Sequence, residues 1–66
     1  SVDNLIKGIA AALHFDYEGD PQSQALQEKI RQCGVMETTK EITGITDTDL
    51  LSKITTAYET IAGEIQ

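Results

Sequence analysis

The first part of the chain repeats apolar residues at helical spacing. Four of them fall at i, i+3, i+4 and i+7 and so share one helix face: Ile6, Ile9, Ala10 and Leu13. Asp3 stands where an N-cap is expected and forms an i,i+4 pair with Lys7. The pattern predicts a helix over about residues 3–14. Gly8 costs this helix about 1 kcal/mol relative to alanine, which suggests that another backbone approaches closely there.

A second helix is predicted over residues 21–33. Asp20 is its N-cap, and Pro21 takes the first position, where its missing amide donor is not needed. Gly34 is the expected left-handed terminator. The apolar stripe of this helix consists of Leu26, Ile30 and Cys33.

Two further helices are predicted after Gly34. Residues 35–42 form the weaker one, ended by Gly44, with Val35, Thr39 and Ile42 on one face. The last helix covers residues 47–64, with Thr46 as N-cap and Asp49 at the third position. Ile45 and Leu50 are expected to form a hydrophobic staple, and the apolar face continues through Ile54, Tyr58, Ile61 and Ile65.

No segment alternates apolar and polar residues, so no strand is predicted. The expected fold is all-α, a single helical domain or subdomain over residues 1–66, built as a small bundle of three to four helices. A chain this short buries little core, so its length alone is consistent with either a fragment cut from a larger protein or a domain that docks on another one. The predicted core residues are Ile9, Leu13, Leu26, Ile30, Ile54, Tyr58 and Ile61.

The net charge of −6 and the scattering of only five basic residues argue against binding to nucleic acid or to an anionic membrane. The longest apolar run, Ile9 to Leu13, is far below the roughly 20 residues that span a bilayer. No signal peptide is predicted at the start. Cys33 is the one cysteine and has no internal disulfide partner, which favours a reducing, cytoplasmic location.

His14 and Cys33 are the obvious candidates for a catalytic base and nucleophile. In an antiparallel hairpin of the first two helices they would lie about 20 Å apart, the length of the second helix. Cys33 is therefore interpreted as a small core residue and His14 as a structural residue of a last helical turn. We predict no catalytic residue and no cofactor-binding residue in this chain.

Two acidic segments resemble the start of a calcium loop. After Asp47 and Asp49 come apolar residues where further oxygen ligands are needed, and the run of Asp16, Glu18 and Asp20 is followed by proline. We interpret both as turn and cap chemistry, and we predict no metal site.

A free-standing acidic interaction or carrier domain is the alternative class. Acyl carriers present a serine between aspartate and leucine for attachment of their prosthetic group. The serines of this chain lie in other contexts: Ser1, Ser23 and Ser52.

Nearly the whole chain resembles the C-terminal helical segment of mannitol-1-phosphate 5-dehydrogenases, which belong to the polyol-specific long-chain dehydrogenases. The resemblance is weakest over residues 31–40. The residues that carry it, in chain order, are Asn4-Leu5-Ile6, Gly8 to Ala11, His14-Phe15, Asp20-Pro21-Gln22, Leu26, Ile30, Gly34, Thr43-Gly44-Ile45 and Ala57-Tyr58.

The resemblance implies a two-domain parent enzyme. Its N-terminal domain would bind NAD, and its helical C-terminal domain would complete the site for a sugar phosphate. The parent would interconvert D-mannitol 1-phosphate and D-fructose 6-phosphate by hydride transfer, without metal and with a lysine base. Neither the glycine-rich fingerprint nor the lysine motif occurs in these residues. The segment by itself is therefore expected to bind no NAD, to be inactive, and to have the remainder of the dehydrogenase as its partner.

Overall fold

The computed structural model describes residues 1–14 and 20–65, apart from the side chains of residues 64 and 65. It contains three helices, α1 (Val2–His14), α2 (Pro21–Thr43) and α3 (Thr48–Ile65), and the described residues contain no strand. The predicted all-α bundle is thereby confirmed. The break expected at residues 16–20 lies, except for Asp20, outside the described residues.

α1 begins one residue earlier than predicted because Ser1 caps it. The Asn4 amide donates to Ser1 Oγ over 3.4 Å, and the Leu5 amide donates to the Ser1 carbonyl over 3.1 Å. Asp3 lies inside the first turn, so its prediction as N-cap is wrong. The close approach expected at Gly8 is also wrong, because a Cβ there would meet nothing within 4 Å.

α2 begins as predicted. Asp20 has extended backbone angles, and its carboxylate accepts a hydrogen bond of 3.0 Å from the Gln22 amide, with Pro21 in the first position. The helix ends at Gly44, which is left-handed at φ 77° and ψ 3° and donates its amide to the Lys40 carbonyl over 2.9 Å.

Gly34 interrupts α2 and divides it into two helical segments, as the sequence predicts. Its φ of 87° and ψ of 166° are non-helical, but they are not the left-handed values of the predicted terminator. Helical backbone resumes at once, and Thr38 Oγ1 donates to the Gly34 carbonyl over 2.8 Å. The predicted helices 21–33 and 35–42 are therefore confirmed as two helical segments that meet at the kink at Gly34.

The N-cap of α3 is Asp47, and the prediction of Thr46 is wrong. The Asp47 carboxylate accepts hydrogen bonds from the amides of Asp49 and Leu50, at 2.9 and 3.3 Å. Aspartate is a better N-cap than threonine. With Asp47 as the N-cap, the helix begins at Thr48. Leu51 then reaches the core and is fully buried.

The core lies mainly between α1 and α3, which share the most extensive interface of the bundle. Of the predicted core residues, Leu13 and Ile54 are buried, and Ile9, Leu26, Ile30 and Tyr58 pack half-buried around them. Ile61 is half-buried. The prediction omitted three buried apolar residues: Ile6, Ala10 and Leu51.

In the second half of α2, two threonines are buried and the isoleucine is exposed. Thr38 and Thr39 are fully buried, whereas Ile42 is 54% exposed, so the predicted face is wrong at Ile42. Both buried hydroxyls donate to carbonyls four residues earlier, which satisfies them within the helix. Cys33 is exposed, against prediction, because α2 changes direction at the next residue and the apolar register of Leu26 and Ile30 is not continued.

Candidate docking surface

A concave surface with a mostly apolar lining lies between α1 and α3. It encloses about 480 Å³ and is lined by Lys7 and Ala11 from α1 and by Ala57, Thr60 and Ile61 from α3. Because most of its accessible lining is apolar, this surface suits packing better than chemistry.

A second concavity extends this surface along α3. It encloses about 320 Å³ and is lined by Ser52, Lys53, Thr56 and Ala57. Ala57 lines both concavities, which we refer to together as the α1/α3 groove. From Ser52 to Ile61 it follows α3 for about 14 Å, at about 1.5 Å of rise per residue.

The charged residues that line the α1/α3 groove in the described part of the chain are both lysines. Lys53 Nζ lies 3.2 Å from Asp49 Oδ2, so its charge is already compensated. Lys7 takes part in none of the ion pairs within the described residues, and the predicted pair with Asp3 does not form there.

His14 and Cys33 differ in their exposure to solvent. His14 is half-buried at the end of α1, and its ring lies 5.7 Å from that of Tyr58 at a tilt of 56°. Cys33 is exposed on α2. The aromatic contact ties α1 to α3, which suits the structural role predicted for His14.

The end of α1 has a second tether. Gln27 Nε2 donates a hydrogen bond of 2.8 Å to the Leu13 carbonyl, one of the carbonyls that a helix end leaves without an intrahelical partner. Gln27 was assigned no role from the sequence, since glutamine on a polar helix face gives no signal of such a contact.

Within the described residues no group of three or more His, Cys, Asp and Glu side chains is arranged to hold a metal ion. None of the three helices, over the part of the chain that the structure covers, combines the length and apolar character needed to cross a membrane. Asp47 and Asp49, considered above as a calcium-loop start, act as the N-cap of α3 and as the partner of Lys53.

No protein-family model matches this chain, and no solved structure matches it significantly. The α1/α3 groove was not predicted from the sequence. A signal for it exists in the spacing: Lys7 and Ala11 on α1, and Lys53 and Ala57 on α3, are two lysine–alanine pairs at i,i+4. Such pairs are common on solvated helices, so the spacing acquires meaning only when the fold places both pairs on one surface.

Proposed function

We propose that these 66 residues are the C-terminal helical part of an NAD-dependent mannitol-1-phosphate 5-dehydrogenase. The observation that carries the proposal is the ordered series of resembling residues from Asn4 to Tyr58. The parent would transfer a hydride between D-mannitol 1-phosphate and NAD to form D-fructose 6-phosphate. The role of the segment would be to complete and stabilise the helical domain that covers the substrate site.

The resembling residues include those on which this fold depends. Ile6 and Ala10 lie in the buried face of α1. Asp20 and Pro21 start α2, and Gly44 ends it in a conformation that favours glycine. A sequence that preserves these positions preserves the bundle, which supports a structural interpretation of the resemblance.

The surface of the bundle offers apolar area to a larger protein. Val2 and Leu5 on α1 are 61% and 53% exposed, and the α1/α3 groove has an apolar floor. Contact with the remainder of the dehydrogenase would cover these residues. The NAD and sugar phosphate sites would come mainly from that remainder, because Asp20, Asp47 and Asp49 at the helix starts repel phosphate. The thiol of Cys33 is exposed, which suits a reducing cytoplasm.

The test compares the full-length gene product with a form truncated before Val2 and with the 66-residue chain alone. NAD reduction with D-mannitol 1-phosphate is the activity assay, and NAD binding and thermal unfolding are measured in parallel. We expect activity in the full-length protein alone, and lowered stability in the truncated one. A full-length protein without this activity contradicts the proposal, as does a truncated form that folds, binds NAD and turns over normally. An open reading frame confined to these residues would favour an acidic interaction or carrier domain.

A further inference from the structure

We infer that Gly34 is a hinge, and that two copies of this chain with a straightened α2 exchange residues 35–65 to form a swapped dimer. The partner is a second copy of the chain, because the surface that residues 35–65 need is already present on residues 1–33. The exchange requires only these 66 residues, so it is independent of the proposed dehydrogenase.

The bend at Gly34 depends on its backbone angles and not on packing around it. Its φ of 87° and ψ of 166° lie in a region almost reserved for glycine. An added Cβ would meet nothing within 4 Å, and residues 31–34 are all exposed. A change to helical angles at Gly34 therefore displaces no neighbouring side chain at the hinge itself.

The two sides of the hinge complete one core. Leu13 lies before Gly34 in the sequence and Ile54 lies after it, and both belong to the same buried cluster. The ring contact between His14 and Tyr58 also joins the two sides. These contacts are lost if the sides separate, so each side then exposes an apolar surface that only the other side matches.

A single chain with a straight α2 could not keep this core. Gln27 holds the Leu13 carbonyl at a point about 9 Å along α2 from its first residue. A straight α2 of 23 residues is about 34 Å long. If α3 folded back from the far end, Ile54 would lie about 25 Å from the first residue of α2, at about 1.5 Å of rise per residue. Leu13 and Ile54 would then be about 16 Å apart along the helix, so their cluster would not form.

Two straightened copies related by a two-fold axis restore that core twice, because each residue 1–33 unit receives residues 35–65 of the other copy. The bend is the feature that both copies lose. The net charge of −6 on each copy opposes the association, and salt at about 0.15 M screens this repulsion beyond about 8 Å. The bent monomer is therefore expected at low protein concentration and the exchanged dimer at high concentration.

Position 34 offers a matched pair of variants, both accessible by chemical synthesis. Gly34→Ala disfavours the positive φ of the bend and favours helical backbone, whereas D-alanine at the same position favours a positive φ and keeps the bend. A preference worth about tenfold at each hinge acts twice in the dimer. Sedimentation equilibrium should therefore give Gly34→Ala a dimer dissociation constant about a hundredfold below that of the wild type. The D-alanine chain should dimerise no more strongly than the wild type.

Cross-linking identifies the exchange within the Gly34→Ala dimer. Light and heavy isotopic forms are unfolded together in urea, refolded as a mixture and treated with a carbodiimide, which joins a lysine amine to a carboxylate in contact. The Lys29–Glu41 pair, 2.5 Å apart, spans the hinge, so its product should join light to heavy chains. The Lys53–Asp49 pair, 3.2 Å apart, lies wholly within α3, so its product should stay within one chain and serves as the internal control.

Circular dichroism over the same concentration range follows the folding of Gly34→Ala. Exchange restores the core, so its helix content should rise as the dimer forms. A folded Gly34→Ala chain that stays monomeric where the wild type does overturns the inference. A Gly34→Ala chain that remains unfolded at every concentration also overturns it, as does a dimer whose Lys29–Glu41 product is confined to single chains.

Discussion

Lys29 Nζ and Glu41 Oε1 lie 2.5 Å apart, although twelve residues of α2 separate them in sequence. A straight helix would set these residues about 18 Å apart along its axis, beyond the combined reach of their side chains. The Lys29–Glu41 pair forms because α2 bends at Gly34, so the presence of the pair is evidence of the bend. The hydrogen bond that Lys29 donates to the Glu41 carboxylate raises the pKa of Lys29 above its ordinary value of 10.5.

Substituting Gly34 by alanine should destabilise the chain. Its φ of 87° and ψ of 166° lie in a region almost reserved for glycine, where another residue costs about 1–3 kcal/mol. Steric conflict is not the cause, because an added Cβ meets nothing within 4 Å. Urea unfolding of Gly34→Ala should show a lower free energy of unfolding. A value equal to that of the wild type would show that α2 adopts another conformation at this point.

Gly8→Ala should have the opposite effect and serves as the matched control for the preceding substitution. Gly8 lies inside α1, with helical backbone and open space around the added methyl group. Alanine gains about 1 kcal/mol over glycine at such a helix position. The same urea experiment should therefore show an increased free energy of unfolding. A decrease would mean that α1 needs the flexibility of glycine or packs more closely than described.

The Lys29–Glu41 pair should make stability fall at high pH. Because the folded-state pKa of Lys29 is raised above its ordinary 10.5, the stabilisation is fully present below that pH and is lost as the pH rises through the folded-state value. Both side chains are exposed, so the effect is small. Denaturation midpoints of wild type and Glu41→Gln should differ below pH 10.5 and converge above it. The control is Glu37→Gln, which removes the Lys40–Glu37 pair on one side of the bend. A difference in midpoint between wild type and Glu41→Gln that stays constant with pH would contradict the prediction.

Ile54→Ala should be the most damaging isoleucine truncation. Ile54 is fully buried in the core cluster, where loss of its side chain costs about 2–5 kcal/mol. Ile42→Ala, at a residue 54% exposed, should change stability by less than about 0.5 kcal/mol. Ile30 is half-buried, so Ile30→Ala should fall between the two. Circular dichroism during urea titration gives this order, and an equal cost for Ile42 and Ile54 would show that the face of α2 is misassigned.

The start and the end of α2 were predictable from the sequence, whereas the N-caps of α1 and α3 were each displaced to a nearby residue. Asp20 and Pro21 mark a helix start, and Gly44 marks a helix end, because capping is decided by a few neighbouring residues. The break at Gly34 was also predicted correctly, but its conformation was not, because glycine signals a positive φ without specifying ψ. At Gly34, with a ψ of 166°, the chain bends and helical backbone resumes. At Gly44, with a ψ of 3°, the helix ends.

The misassigned face of α2 has a different cause. The predicted face is correct at Val35 and Thr39 and wrong at Ile42, whose place in the core is taken by Thr38. Thr38 is buried at little cost because its hydroxyl donates to the Gly34 carbonyl of its own helix.

The α1/α3 groove depends on how two helices distant in sequence pack together. Neither a residue pattern nor the resemblance contains that relationship, which is why Lys7 and Ala57 were not linked before the fold was known.

The bond from Gln27 to the Leu13 carbonyl has a kinetic consequence. It crosses fourteen residues of sequence and joins the last turn of α1 to the first half of α2. These two pieces should consequently open to solvent as one cooperative unit. Amide hydrogen exchange at the end of α1 and over residues 24–30 should then proceed with similar protection factors. Gln27→Ala should uncouple them, so that the end of α1 exchanges faster while the core around Ile54 keeps its slow exchange.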